Sequence, residues 1–346
     1  MSKTLQEIKL QYGALTDTLA LFAEKAQALG QFIQERPIKR LLFTGCGSSF
    51  MIACSARTIA SARLDIPVVA MASGDLWLHA DRYEKLFDGA LIVSFSRSGR
   101  TSEVLNAYET IKEQAPGVRF LSILCAEDTP LEALSDFTFC LPWAFDESVC
   151  QTRCVSNLYA AGALLIGALS NDPAIAAALS RVAQIGPDYL EAIAPALEAL
   201  AAQPWDHAVV LADGEIDGLA EEGALAFKEI SQLQSNFYHL LDVRHGPMVL
   251  INEKSLVIAN LSTPPIAAEQ KLLHDVIAKG ALLLCYSPVP IEIEGAKVYS
   301  LGEDVGTIAG GLGLLLICQL ISYYKSFYVG CDPDRPDGLS PWIEIK

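Results

Sequence analysis

Positive charge is scarce in this chain. Its 346 residues carry 25 lysines and arginines against 41 aspartates and glutamates, a net charge of −16, which speaks against nucleic acid or an anionic membrane as partner. The nine cysteines (46, 54, 125, 140, 150, 154, 285, 318 and 331) include no C-x-x-C pair and no histidine cluster lies near them. Neither a metal site nor a disulfide framework is expected, and reduced thiols fit an intracellular protein. No apolar run reaches the ~18 residues that a membrane span needs. The N-terminus has carboxylates scattered through it and lacks the apolar core and small-residue cleavage site of a signal peptide, so cytoplasmic residence is the expectation.

Hydrophobic residues, by contrast, make up 51% of the chain, enough for buried sheets and helices. The length suits two α/β domains of roughly 100–200 residues each. Residues 1–37 form a leading helical segment. Strand-like runs follow at RLLFTG, PVVAM, ALIVSF, RFLSILC and FTFCLP, with helical spacing between them. Strands that are apolar throughout indicate a parallel sheet covered on both faces. The stretch 154–203, broken at NDP and GPD, reads as two helices. A second series, HAVVLADG, SLVIANLS, ALLLCYS and AKVYSL, repeats the order of the first. The expected fold is α/β, a tandem duplication of a doubly wound, mostly parallel five-stranded sheet. Its domains run over 38–170 and 204–330, with a helical linker at 171–203 and a tail at 331–346.

The turn after ALIVSF holds Ser96-Arg97-Ser98-Gly99-Arg100-Thr101. A loop at the carboxyl end of a parallel strand, feeding a helix N-terminus, presents free N–H groups and the positive end of a helix dipole. Hydroxyls at Ser96, Ser98 and Thr101 and a permissive glycine make it a phosphate cradle. The plainer alternative, Thr101 as a helix cap followed by Ser102 and Glu103, explains one hydroxyl. The Cys46-Gly47-Ser48-Ser49 turn follows the first strand in the same way; it lacks the glycines of a dinucleotide site and the lysine of a P-loop. Thr152 and Arg153, ahead of another helix, are a third candidate. Arg97, Arg100 and Arg153 have the alternative of being solvated surface charges. In the second series the matching turn is Ser262-Thr263-Pro264-Pro265, and prolines without N–H groups cannot wrap an anion. One anion site per chain is expected.

Glu222, Ala226 and Glu229 recur at i, i+4, i+7 on one face of a helix, where a carboxylate must be paired, protonated or used. Glu221 reads as solvated. Arg244 and His245 precede a Gly-Pro turn that fixes the loop. His79, His207, His239 and His274 read as ordinary polar positions.

In this order and spacing, GCGSS, SFSRSGRTSE, EEGALAFKEI and RHGPMVLI resemble the double sugar-isomerase (SIS) family. The likeness, over residues 35–346, is to the isomerase half of glucosamine-6-phosphate synthase and to bacterial sugar-phosphate isomerases, deaminases and deglycases. The resemblance implies that Ser49, Ser96, Ser98 and Thr101 hold a sugar phosphate with help from Arg97. Thr152 is implied to lie near the sugar, and Cys46, Gly47, Ser48, Arg153 and Glu222 are further substrate-binding candidates. Glu229 matches the glutamate that moves a proton between C1 and C2. His245 matches the histidine that assists ring opening from the neighbouring subunit of a homodimer. No cofactor is implied. Two positions depart from the synthase: Ala226 and Pro341 stand where it has lysines, the second of which forms an imine with the sugar. No glutaminase-like stretch is present, so the expectation is an isomerase or an amino-sugar-phosphate deaminase/deglycase and not the synthase. The alternative is a non-catalytic phosphosugar sensor.

Overall fold

The computed structural model describes residues 2–262 and 265–345; Thr263 and Pro264 of the second-series turn lie outside them. The first elements are α1 (Lys3–Glu24), α2 (Ala26–Gln34), β1 (Arg40–Gly45), α3 (Ser48–Ser61), β2 (Val68–Ala72), α4 (Ser73–Leu78) and α5 (Glu84–Phe87). Next come β3 (Ala90–Ser96), α6 (Ser102–Gln114), β4 (Arg119–Leu124), α7 (Pro130–Ala133), β5 (Phe137–Cys140), α8 (Arg153–Ser170) and α9 (Pro173–Ala201). The second series comprises β6 (His207–Leu211), α10 (Asp217–Ile230), β7 (Gln234–Tyr238), β8 (Ser255–Asn260), α11 (Ala267–Ala278), β9 (Leu282–Tyr286), β10 (Lys297–Tyr299) and α12 (Gly306–Val329).

Two compact units result. Gly13–Glu147, Gln151–Ser180 and Ser340–Lys346 hold the first sheet, of order β2-β1-β3-β4-β5. Met1–Tyr12, Ser148–Cys150 and Arg181–Leu339 hold the second, of order β10-β9-β8-β6-β7. Every strand pair is parallel, and the second order read backwards repeats the first. The duplicated, doubly wound α/β fold is therefore present. The expected linker divides at Ser180 and the expected tail at Leu339.

In the first-sheet unit, Leu42, Ile92 and Phe120 pack on Leu76 of α4 and on Val104 and Tyr108 of α6. Each such side chain, fully buried, contributes about 1.5–3 kcal/mol. The second sheet likewise buries Val209, Val257 and Cys285 against Leu272, Leu273 and Val276 of α11. Among the described residues two helices, α8 and α12, are long and apolar enough to cross a membrane. Yet 78% and 89% of their apolar windows are buried inside the fold, as core helices are.

Two expectations fail. First, GPD does not break a helix, since α9 runs on through Pro187 and Pro195. A proline in a helix interior costs about 3 kcal/mol, but the buried Val182, Leu190, Ile193 and Leu197 hold the helix in place. Second, β7 had no counterpart among the expected strands. Its sequence, Gln-Ser-Asn-Phe-Tyr, lies at a sheet edge and is only partly buried, so it carries no apolar run to read.

Asp334 closes the start of α1. Its carboxylate accepts the N–H groups of Lys3 (2.9 Å) and Thr4 (2.8 Å) and the Thr4 hydroxyl (2.8 Å). Burial opposes its charge, but the Thr4 and Lys3 bonds outweigh that and hold its pKa below the usual carboxylate value. A depressed folded pKa gives stability that is fully present above the unfolded value near 4 and is lost as pH falls through the folded one. Asp334→Ala is expected to cost about 1–2 kcal/mol at pH 7, as helix-cap losses do. In urea unfolding the difference from wild type should shrink on acidification; an equal difference at pH 7 and below pH 3 would remove the capping role.

Candidate functional site

The first-sheet unit gathers the hydroxyl-rich turns. The chain leaves β1 towards β2 on one side and β3 on the other, so the crevice at their carboxyl ends is a topological switch point, where α/β sheets bind ligands. The turn after β1 passes through Gly47, at φ +54°, into α3. Ser48 and Ser49 are buried, and the Ser49 N–H donates to Cys46 O at 3.1 Å. At Cys46 the thiolate is disfavoured. Burial first, then the nearby Glu103 charge, pushes its thiol up to about 11 against the lowering effect of hydrogen bonds from Ser73.

After β3, Ser96, Arg97 and Ser98 are each 4% exposed. The Gly99 N–H donates to Ser96 Oγ at 2.9 Å and the Arg100 N–H to Ser98 Oγ at 3.2 Å. A hydroxyl that accepts from the backbone keeps its own proton to donate, which suits an anion. Thr101 occupies the N-cap position of α6, but its side chain makes no capping bond. The capping alternative is thus not what the hydroxyl does. The three arginines diverge. Arg100 is exposed and donates to Asp128 O (3.2 Å). Arg97 donates through Nη2 to Pro341 O. Arg153 donates to Phe145 O and lies 3.6 Å from Asp146.

Asp146 was not singled out in the sequence. Its side chain is wholly buried, and Oδ2 accepts the N–H groups of Thr152 (2.7 Å) and Cys154 (2.9 Å). A carboxylate six residues upstream thereby caps α8 and fixes the Thr152–Arg153 turn. Spacing alone could not reveal it, because the intervening loop sets the distance.

In the second-sheet unit, Glu222 is 2% exposed on α10, and Ala226 packs on Cys150 and Ile230. Glu229 is half-buried one turn on. The Cys318 thiol is raised by burial, with the Glu222 charge adding to it. His245 is exposed, and its N–H donates to Asp242 O (2.8 Å) ahead of Gly246 at φ +123°. Arg244 is clamped to Asp275 Oδ2 through Nε (3.2 Å) and Nη2 (2.7 Å), which steadies that loop. The turn after β8 differs from its first-sheet counterpart. Ser262 gives its N–H and hydroxyl to Glu269, at 3.2 and 2.6 Å. The Glu269 carboxylate thus takes up donors of this turn.

Comparison with known proteins agrees with this division. Residues 36–166 match the SIS domain family. That match covers the first sheet, and the second sheet repeats its strand order. Among its relatives is glutamine–fructose-6-phosphate aminotransferase (isomerizing) of Methanothermobacter thermautotrophicus, 25% identical across 99% of this chain and 57% of that protein. The chain spans about half the length of the curated relatives it matches. Among solved structures, tagatose-6-phosphate ketose/aldose isomerase of Escherichia coli superposes with a TM-score of 0.86 at 21% identity, covering 100% of this chain and 96% of the other. Glucosamine-6-phosphate deaminase of Thermotoga maritima does so with 0.82 at 24%, covering 99% and 100%. At these identities the superpositions establish the fold.

Proposed function

We propose that the protein is a phosphosugar aldose–ketose isomerase or amino-sugar-phosphate deaminase/deglycase that works by 1,2-proton transfer. The observation that carries this reading is the pair of hydroxyl-lined turns at neighbouring parallel strand ends. There Ser49, Ser96, Ser98 and Thr101 suit a phosphate monoester, with the α6 dipole adding attraction. Binding energy from that remote phosphate positions the reacting carbons.

Glu229 is the proposed proton carrier. Once the ring is open, the carbonyl acidifies the neighbouring C–H. The carboxylate takes that proton, the C–H electron pair becomes a C1=C2 bond, and the carbonyl oxygen is protonated to a cis-enediol. Return of the proton to the adjacent carbon, with loss of the other hydroxyl proton, completes isomerisation. With nitrogen on the skeleton the intermediate is an enamine. Its reprotonation gives an imine, and water hydrolyses this to a carbonyl with release of ammonia or an amine. His245 is assigned to ring opening, supplied by a second copy of the chain. Supporting that, Leu241, Val249 and Leu250 around it are exposed, an apolar margin suited to a homodimer.

The test is a thermal-shift screen of hexose 6-phosphates, amino-sugar 6-phosphates and fructosamine 6-phosphates, each binder then assayed for isomerised sugar and released amine. Amine release selects the deaminase or deglycase branch, and isomerised sugar alone selects the isomerase. Stabilisation without turnover would replace both with a phosphosugar sensor.

A further inference from the structure

The end of the chain lies across the loop that follows β3. Pro341 O accepts from Arg97 Nη2, Ile343 O accepts the Ser102 N–H at 3.2 Å, and the Ile345 N–H donates to Ser102 Oγ at 2.9 Å. Contacts at residues 341, 343 and 345 have the two-residue period of an extended segment. On the opposite side of that period, Trp342 Nε1 donates to Glu344 Oε1 at 3.0 Å. Apolar burial assists little, because Ile343 and Ile345 are 52% and 51% exposed. The strap is held by hydrogen bonds. Of the three that reach the loop, one has a charged donor, a kind roughly twice as strong as its neutral counterparts. Pro341 suits the other end of that bond, since a proline offers a carbonyl and no N–H.

We infer that Arg97 is a positioning residue whose guanidinium seats residues 340–345 on the first turn of α6, leaving the anion to the loop backbone and to Ser96, Ser98 and Thr101. The inference rests on the phosphosugar reading for what the loop holds, while the strap itself is independent of it. Arginine at 97 and proline at 341, separated by 244 positions in the chain, thus act as one latch beside the phosphate cradle.

The test uses the full chain with Arg97→Gln and Arg97→Lys. Hydrogen exchange is read at the Ser102 and Ile345 amides, and affinity for inorganic phosphate and for a hexose 6-phosphate is read by calorimetry. In Arg97→Gln both amides should exchange at least tenfold faster, with phosphate affinity within threefold of wild type. Arg97→Lys, which keeps one charged donor, should retain part of the protection, and it serves as the check if the glutamine variant folds poorly. Unchanged exchange in both variants overturns the inference. So does a tenfold loss of phosphate affinity with the strap still protected, which would hand the guanidinium to the anion. Loosened amides in a protein whose wild type binds neither ligand would keep the latch and sink the phosphosugar reading.

Discussion

Glu229→Gln is expected to lower turnover of the substrate found by ligand screening by roughly 10²–10⁴-fold, the usual share of a general acid–base group, while phosphosugar binding persists. Glutamine matches the shape and keeps hydrogen-bonding capacity, but it cannot accept a carbon-bound proton. Glu229 is only half-buried on α10, so the substitution leaves the packing of Ala226 and Phe227 in place. Glu221→Gln, about 100° around the helix from Glu222, should stay within twofold. Steady-state kinetics with thermal-shift binding separates the two effects. Loss of binding and turnover in equal measure would mean that Glu229 holds substrate or structure and moves no proton.

The turn after β1 should respond to a single methyl group. A Cβ at Gly45 would lie 2.6 Å from the Ser49 carbonyl carbon and 2.7 Å from its oxygen, both backbone atoms of the first turn of α3. Neither atom can move without displacing Ser49. Gly45→Ala is expected to cost about 2–4 kcal/mol, as overpacking against an immovable neighbour does, and to weaken phosphate-ester binding at least tenfold. Gly47 provides the contrast: its φ is +54°, yet nothing lies within 4 Å of a Cβ there. Gly47→Ala carries only the backbone penalty, about 1 kcal/mol. Denaturant midpoints of the two variants order these costs, and equal losses would show that the close approach at Gly45 is not what shapes the turn.

The parts of this fold that could be read from sequence are those whose signal is local and apolar. β3 and β4 are buried at every residue, so their strands appear as continuous hydrophobic runs and their parallel arrangement follows. The turns after β1 and β3 were legible because glycine and serine cluster within a few positions. β7 was not, since an edge strand needs no apolar run. The continuity of α9 was hidden because local proline penalties are read from the sequence, while the burial that overrides them is tertiary. The roles of Asp146 and of the Arg97–Pro341 contact were hidden for the same reason: each depends on where a loop or a chain end returns. For Thr101 the sequence favoured anion binding over capping, since a cap explains one hydroxyl of three, and its side chain makes no capping bond.

The second-sheet unit draws on Met1–Tyr12, Ser148–Cys150 and the long stretch up to Leu339, and α12, its most thoroughly enclosed helix, is the last of its elements in the chain. On the ribosome, β6 to β10 therefore emerge before the helix that fills the interior beside them. The first sheet meets no such delay, as β1 to β5 and the helices that cover them are all synthesised by Ser170. Nascent chains stalled before residue 306 should thus hold one finished sheet and one with an open apolar face, the kind of exposed surface that chaperones act on.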